Sequence, residues 1–198
     1  GEPGTQLTLR TFHAGGTAAN IAANASIVAK NAARLEFDEL RTVDIVDEMG
    51  ESAKVVVGRL AEVRFVDVNT NIVLSTHNVP YGSTLYVSDG DVVEKGKLIA
   101  KWDPFNAVII TEATGKIEFE SVVENVTYKV ESDEATGLRE IIIIESKDKT
   151  KVPSVHILTE DGDLIRTYNL PVGGHVIVEN GQKVKAGEVI VKIPRAVG

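Results

Sequence analysis

Four residues near the start of the chain have types and spacing that could contact a nucleotide. Gln6, Leu9, Arg10 and His13 lie at positions i, i+3, i+4 and i+7, which would place them on one face of a helix. Arg can bind phosphate oxygens through two parallel hydrogen bonds, and His changes its charge near physiological pH. The set could therefore hold a nucleotide, with Leu9 against the base and the two cationic side chains on the phosphates.

The residues around this set predict a short helix. Pro3 suits the first turn of a helix, and Gly15-Gly16 supplies a residue pair that can end one without strain. A short polar helix with one Arg and one His is also typical of a solvated surface helix. The spacing alone therefore leaves two interpretations open, a nucleotide contact and a surface element.

Length and composition predict an ordinary acidic globular protein. The chain has 198 residues, no Cys and a formal net charge of −8, so no disulfide framework or thiolate metal site is expected. Because affinity for nucleic acid depends on Lys and Arg, this charge argues against a nucleic-acid-binding module in its own right. We expect no membrane span and no secretory signal. Residue 1 is Gly, and the chain is expected to be a piece of a longer one.

From about residue 26 the pattern predicts β-strands. Apolar residues alternate, as at Val63 and Phe65, or form continuous runs such as 141–144. Asp89-Gly90 and Asp161-Gly162 are strong signals for tight turns. The pattern is typical of an all-β sandwich or barrel. Residues 17–25, rich in Ala and Asn, are interpreted as a linker with some helical preference.

An internal repeat organises the β region. The segment 79–101 aligns without a gap on 170–192. Three glycines coincide at turn positions, which indicates the same backbone path twice, because Gly marks places that need positive φ or a close approach. The coinciding pairs are Gly82 and Gly173, Gly90 and Gly181, and Gly96 and Gly187. We predict two tandem modules, 26–104 and 105–195, although upstream of Val79 the copies lose their register.

Other residues that could do chemistry are interpreted as ordinary surface or partly buried side chains. His77, His156 and His175 lie far apart without the spacing of metal ligands, so no metal site is predicted. The acidic runs 44–48 and 131–134 could in principle chelate Mg²⁺ but are interpreted as solvated charges.

The repeated segment resembles the barrel-sandwich hybrid of lipoyl and biotinyl carrier domains. It places Gly-Asp-x-Val-x-x-Gly between two strands, as at 90–96. Those carriers bear a modifiable Lys at a hairpin tip soon afterwards, whereas residues 102–106 and 194–196 contain none. The resemblance therefore implies the fold and no carrier function. Trp102 is interpreted as a core or domain-junction anchor.

The string GEPGTQLTLRTFHAGG at 1–16 closely resembles the first arm of the trigger loop in the beta-prime subunit of bacterial multisubunit RNA polymerase. The family usually has Met at the position of Leu9. The tandem modules look like the large insertion that some of these subunits carry inside the loop. The implied plan is a mobile first arm at 1–16, a linker at 17–25, the two modules, and the start of the loop's return at 196–198. The implied fold class is mainly β, with two tandem barrel-sandwich hybrid modules preceded by a short α-helical arm.

The resemblance also implies a function. Leu9 would pack on the base of the incoming nucleoside triphosphate, Gln6 would lie near the sugar, and Arg10 and His13 would reach the triphosphate. His13 would act as a general acid or through its charge and position, and Gly15-Gly16 would be the hinge. The implied enzyme is a DNA-directed RNA polymerase, a nucleotidyltransferase; the 198-residue piece alone is expected to be inactive, and the β modules to modulate loop motion and pausing.

The resemblance implies partners and location as well. The expected partners are the beta, alpha and omega subunits and the rest of beta-prime, with nucleotide, DNA and RNA reached through the complete enzyme. No cofactor is expected in this chain, since the family's Mg²⁺ ions are held by carboxylates elsewhere. The expected location is the bacterial cytoplasm. The alternative hypothesis is a stand-alone β-sandwich binding or scaffold module without a catalytic role.

Overall fold

The computed structural model describes residues 25–47, 49–132 and 137–195. Within these ranges every helix or strand assigned is a β-strand. In chain order the strands are β1 (Ser26–Val28), β2 (Ala33–Asp38), β3 (Thr42–Val46), β4 (Ser52–Val56), β5 (Glu62–Val66), β6 (Val73–Asn78), β7 (Thr84–Leu85), β8 (Val92–Val93), β9 (Leu98–Lys101), β10 (Asn106–Ile110), β11 (Gly115–Glu120), β12 (Tyr128–Ser132), β13 (Arg139–Ile143), β14 (Ser154–Leu158), β15 (Leu164–Asn169), β16 (His175–Val176), β17 (Lys183–Val184) and β18 (Val189–Pro194). These ranges contain no helix that could cross a membrane.

The predicted fold class needs one correction. The described residues are all β, so the mainly β part of the prediction agrees and the short α-helical arm is not part of the observed fold. Residues 1–16, on which that arm was predicted, lie outside the described residues. The helical part of the prediction had weaker support in the sequence than the β-strand part. Four residues at helical spacing are weak evidence, because a helix of a few turns is marginal without tertiary packing. The strand pattern recurs through the rest of the chain.

The described residues form two compact units. Unit 1 combines the residues up to Arg41 with Gly58–Pro104, and unit 2 combines Thr42–Val57 with the residues from Phe105 onward. The module boundaries predicted from the sequence, 26–104 and 105–195, stay a prediction, as does the barrel-sandwich hybrid assignment.

Unit 1 is built from antiparallel strand pairs. Strand β9 pairs with β1 on one side and with β7 on the other. A second set follows the order β6-β5-β2-β8, with Leu35 opposite Phe65. Side chains alternate across this set, because successive residues of a strand point to opposite faces. The inward face places fully buried Leu35 and Val63 in the core, together with Ile99 of β9.

Unit 2 repeats this arrangement and extends it. Strand β18 pairs with β10 and β16, and the sheet continues through β13 to β12. The second sheet has the order β15-β14-β11-β17. Its core contains fully buried Val155, Ile157 and Ile190. Strands β3 and β4 form a hairpin in the same unit, with Thr42 opposite Val56.

The same turn hydrogen bonds occur in both units. The Gly90 N–H donates to the Leu35 carbonyl at 2.8 Å, and the Gly181 N–H donates to the Ile117 carbonyl at 2.7 Å. The repeat therefore continues upstream of Val79, where different loop lengths hide it from a gap-free alignment. The three glycine pairs all have positive φ, which confirms the conformation predicted for them. The values are 88° and 89° for Gly82 and Gly173, 88° and 87° for Gly90 and Gly181, and 92° and 98° for Gly96 and Gly187.

The third glycine pair supplies a matched test of packing. A Cβ at Gly187 would overlap Cγ2 of Ile45 in the β3–β4 hairpin, whereas a Cβ at Gly96 would meet nothing within 4 Å. Both Gly→Ala substitutions incur backbone strain of about 1–2 kcal/mol. We expect Gly187→Ala to lose about a further 1–3 kcal/mol of unfolding free energy from overpacking, as measured by urea denaturation. Equal losses for Gly96→Ala and Gly187→Ala would contradict the packing of Ile45 on this turn.

Candidate functional site

The residues predicted to contact a nucleotide lie outside the described residues. Gln6, Leu9, Arg10 and His13, with the predicted hinge Gly15-Gly16, all fall within 1–24. Their roles stay predictions.

The three histidines of the described ranges have separate environments. His156 contacts the carboxylate of Glu120 through Nε2, and His175 lies with Nδ1 3.3 Å from the carboxylate of Glu140. His77 makes an edge contact with Phe65, with ring centroids 5.6 Å apart. Across residues 25–47, 49–132 and 137–195, no three His, Asp or Glu side chains come together as a metal site would require.

The two acidic runs contribute to local structure where they are described. Asp47 accepts the N–H groups of Met49 and Glu51, each at 2.9 Å, and so closes the β3–β4 turn. Glu131 pairs with Lys129 at 2.9 Å, and this hydrogen bond lowers the pKa of the Glu131 carboxyl. Glu48 and residues 133–134 lie outside the described residues. The runs were interpreted as solvated charges; Asp47 in addition has a local structural role in the turn.

Trp102 is half-buried, and its backbone N–H donates to the Ala25 carbonyl at 3.0 Å. This contact ties the last strand of unit 1, β9, to the residue preceding β1. The predicted role of the Trp102 side chain as a core or domain-junction anchor stays a prediction.

A chain of charges on unit 1 was missed by the sequence analysis. Arg34 donates to Glu36 at 3.1 Å and to Asn71 at 3.0 Å. Arg64 lies 3.7 Å from Glu36 and donates to Asp38. The available signal was the alternation of charged and apolar residues along β2, which predicts an outward row of charges without naming the partner strand.

The contact with Arg64 affects the pKa of one carboxyl in this chain of charges, that of Asp38. The hydrogen bond from Arg64, followed by its charge, lowers the pKa of the Asp38 carboxyl. Because the pKa of Asp38 is lower in the folded state than in the unfolded state, the ionised carboxyl stabilises the fold at pH values above its ordinary pKa. This stabilisation is lost as the pH falls through the folded-state pKa.

We expect Arg64→Gln to raise the pKa of Asp38 toward its ordinary value, because the hydrogen-bonded cation is removed. Carboxyl ¹³C NMR titration measures this directly. Arg166→Gln in unit 2 is the matched control and should leave Asp38 unchanged. An unshifted Asp38 in Arg64→Gln would show that the pair is not populated in solution.

Unit 1 also has a cleft, lined in part by Ala33 and Phe65, which lie on the opposite face of the sheet from the charged side chains of β2 and β5; we call it the unit 1 cleft. The cleft is shallow and has room for about one water molecule. Phe65 and Leu74 supply apolar surface. The polar groups at the cleft are Lys30, Asn31, Ser75 and His77.

Fold and side chains together define a class of protein: an all-β protein in which one arrangement of strands and glycine turns occurs twice within the described residues. The chain belongs to the family described as RNA polymerase Rpb1, domain 5, whose sequence model matches residues 1–197.

The chain is similar throughout to curated subunits named DNA-directed RNA polymerase subunit beta'. It is 96% identical over 198 residues to the subunit of Bacteroides thetaiotaomicron and 89% identical over 198 residues to that of Phocaeicola vulgatus, covering 100% of this chain and 14% of each relative. The subunit of Flavobacterium johnsoniae is 52% identical over 195 residues, covering 98% of this chain and 14% of that relative. The chain thus spans 14% of the length of these relatives, and the resemblance to the beta-prime family is confirmed.

Proposed function

We propose that this chain acts as part of the beta-prime subunit of a DNA-directed RNA polymerase and serves transcript elongation. The observation that carries the proposal is the family match, which runs through residues 1–16 and the β modules in one alignment. A stand-alone scaffold module would need only the β region to match. The partners are then the other polymerase subunits, with the nucleotide, DNA and RNA that the assembled enzyme holds.

Residues 1–16 are the proposed first arm of the trigger loop. Leu9 packs on the base of the incoming nucleoside triphosphate and Gln6 lies near the sugar. Arg10 and His13 reach the triphosphate. Negative charge builds on the leaving pyrophosphate during nucleotidyl transfer, so cations held there lower the barrier. Proton donation by His13 would serve the same step.

The hinge and the β modules are proposed to set how the arm moves. Gly15-Gly16 lets the arm open and close between additions, so closure gates each step. The modules bias this equilibrium only through contacts that differ between the open and closed states. Their effect therefore falls on pausing and elongation rate and leaves the chemistry unchanged.

Arg10→Ala tests the first arm. In the assembled polymerase we expect single-nucleotide addition to slow by about tenfold to a thousandfold, because a transition-state charge contact is removed. Quench-flow measurement of one addition gives the rate. Arg139→Ala removes an exposed Arg from β13 and is the matched control, expected to leave the rate unchanged. An unaltered rate in Arg10→Ala would favour the scaffold alternative.

Replacement of residues 26–195 by a short flexible linker tests the modules. We expect pause dwell times to change severalfold, on the scale of about 1–3 kcal/mol typical of coupling between sites. The addition rate in the closed state should stay the same. Single-molecule transcription on one template measures both quantities. Unchanged dwell times would remove the proposed role of the modules.

A further inference from the structure

Strand β6 forms one edge of the β6-β5-β2-β8 sheet of unit 1, which we call the β6 edge. It has six residues, whereas β8 at the opposite edge has two. All residues of β6 are exposed except His77, which is half-buried. An edge strand has a row of backbone N–H and C=O groups that its own sheet leaves unpaired. The β6 edge is therefore the longer open edge of this sheet.

The strand register shows which backbone groups of β6 point away from the sheet. The Val79 N–H donates to the Ala61 carbonyl at 2.8 Å, so these two residues form a hydrogen-bonded pair. Hydrogen-bonded and non-hydrogen-bonded pairs alternate along antiparallel strands. Asn78 and Thr76 precede Val79 along the strand in this alternation, so both belong to non-hydrogen-bonded pairs with β5. Their N–H and C=O groups point to the open side, and the described part of the chain contains no partner for them.

Unit 2 has an edge strand at the matching place. Strand β15 forms the edge of the β15-β14-β11-β17 sheet, and its residues have the same pattern of exposure as those of β6. The Leu170 N–H donates to the Pro153 carbonyl at 3.0 Å, which matches the hydrogen bond just after β6. This match aligns β15 on β6 residue by residue, so that Arg166 stands where β6 has Ser75.

One charge distinguishes the two edges. Arg166 lies within β15, with its guanidinium 3.9 Å from the Glu112 carboxylate. Charged side chains and Pro on an edge strand oppose the addition of another strand, and β6 has no Asp, Glu, Lys, Arg or Pro. Exposed Val73 and Leu74 place apolar surface beside its open backbone groups. The β6 edge is thus the one suited to strand addition.

We propose that an extended segment of the beta-prime subunit, outside the present chain, adds to the β6 edge as a further strand. This inference rests on the proposed function, which makes the chain part of that subunit. The added strand pairs along 75–78, where the register of β6 on β5 is regular, and bonds to the backbone groups of Thr76 and Asn78. Main-chain hydrogen bonds of this kind recognise an extended backbone. Apolar or β-branched residues of the segment lie beside Val73 and Leu74, because such cross-strand pairs stabilise a sheet.

Tethering favours a segment of the same subunit over a free partner. The β6 edge offers few main-chain hydrogen bonds, and each contributes little net free energy in water. A segment joined to the same chain has a high effective concentration, which makes such a weak contact effective. The chain covers 14% of the length of a beta-prime relative, so most of such a subunit lies outside it. A second copy of this chain, paired edge to edge, is the competing occupant.

Hydrogen exchange tests the proposal in the assembled polymerase, with the 198-residue chain alone as the reference. We expect the Thr76 and Asn78 amides to exchange about tenfold more slowly in the polymerase, since a paired amide exchanges only after local opening. The Thr167 and Asn169 amides of β15 should exchange at the same rate in both samples. Mass spectrometry with electron-transfer fragmentation resolves these single amides.

Three results would overturn the proposal. The first is equal exchange at the β6 edge in the two samples. The second is equal slowing at β6 and β15, which would indicate general shielding by the assembled enzyme. The third is slow exchange in the chain alone that increases with its concentration, which would indicate a second copy as the occupant.

A proline substitution separates strand addition from a change in folding. Thr76→Pro removes an N–H that β5 does not use, and Pro is tolerated at edge positions whose N–H faces solvent. We expect the chain to keep its midpoint of urea denaturation, and Asn78 to lose its slow exchange in the polymerase. Thr167→Pro is the matched control and should leave the exchange of Asn78 slow. Slow exchange that persists at Asn78 in Thr76→Pro contradicts strand addition.

Ser75→Arg decides the question if Thr76→Pro does not fold. It gives β6 the charge that β15 has in Arg166, at a position where the repeated fold already accepts Arg. We expect Asn78 then to exchange as fast in the polymerase as in the chain alone, and continued slow exchange overturns the proposal. A polymerase that assembles with an unprotected β6 edge contradicts strand addition alone. A chain that does not assemble into a polymerase contradicts the proposed function.

Discussion

The glycine-turn hydrogen bonds are the constraint on which the repeated architecture depends. In each unit a glycine with positive φ, Gly90 or Gly181, donates its N–H to the carbonyl of a buried core residue, Leu35 or Ile117. A residue with a Cβ would reach this conformation only with strain. Short strands of two residues, such as β8 and β17, contribute few ladder hydrogen bonds of their own. These turn hydrogen bonds therefore fix where the short strands meet the rest of their sheets.

Because the backbone is fixed in this way, side chains outside the core are free to differ between the units. Phe65 and Ile157 hold matched, buried positions, and both are apolar. Matched positions outside the core differ in charge, as the exposed Lys30 and the half-buried Glu112 show. Burial penalises unpaired polar groups, whereas solvent tolerates either sign of charge. The matched copies thus keep one scaffold and present two different surfaces.

The strands and turns could be predicted from the sequence because their signals are local. The alternation at Val63 and Phe65 predicts a strand, and each Asp-Gly pair predicts a turn. Both patterns involve residues that are close together in the sequence. The coinciding glycines of the repeat also predicted positive φ at those positions, and this prediction is confirmed. The upstream half of the repeat was hidden, since matching Leu35 to Ile117 needs hydrogen bonds that cross the sheet. The charge chain from Asp38 to Asn71 was missed for the same reason. The helical arm was predicted from residue spacing, from Pro3 and Gly15-Gly16, and from a family resemblance. The roles of Arg10 and His13 came from the same resemblance, which the described residues do not test.

The matched pair His77 and Tyr168 illustrates what sequence reasoning misses. Nothing in the sequence aligns these two residues, because one is an imidazole and the other a phenol. Their equivalence appears in the strand register, where His77 lies opposite Val63 and Tyr168 lies opposite Val155. In unit 2 the Tyr168 hydroxyl accepts the Glu112 N–H, and the side chain packs against the core. In unit 1 the His77 ring makes an edge contact with Phe65. One backbone arrangement thus accommodates two different side-chain contacts at the same place in the repeat.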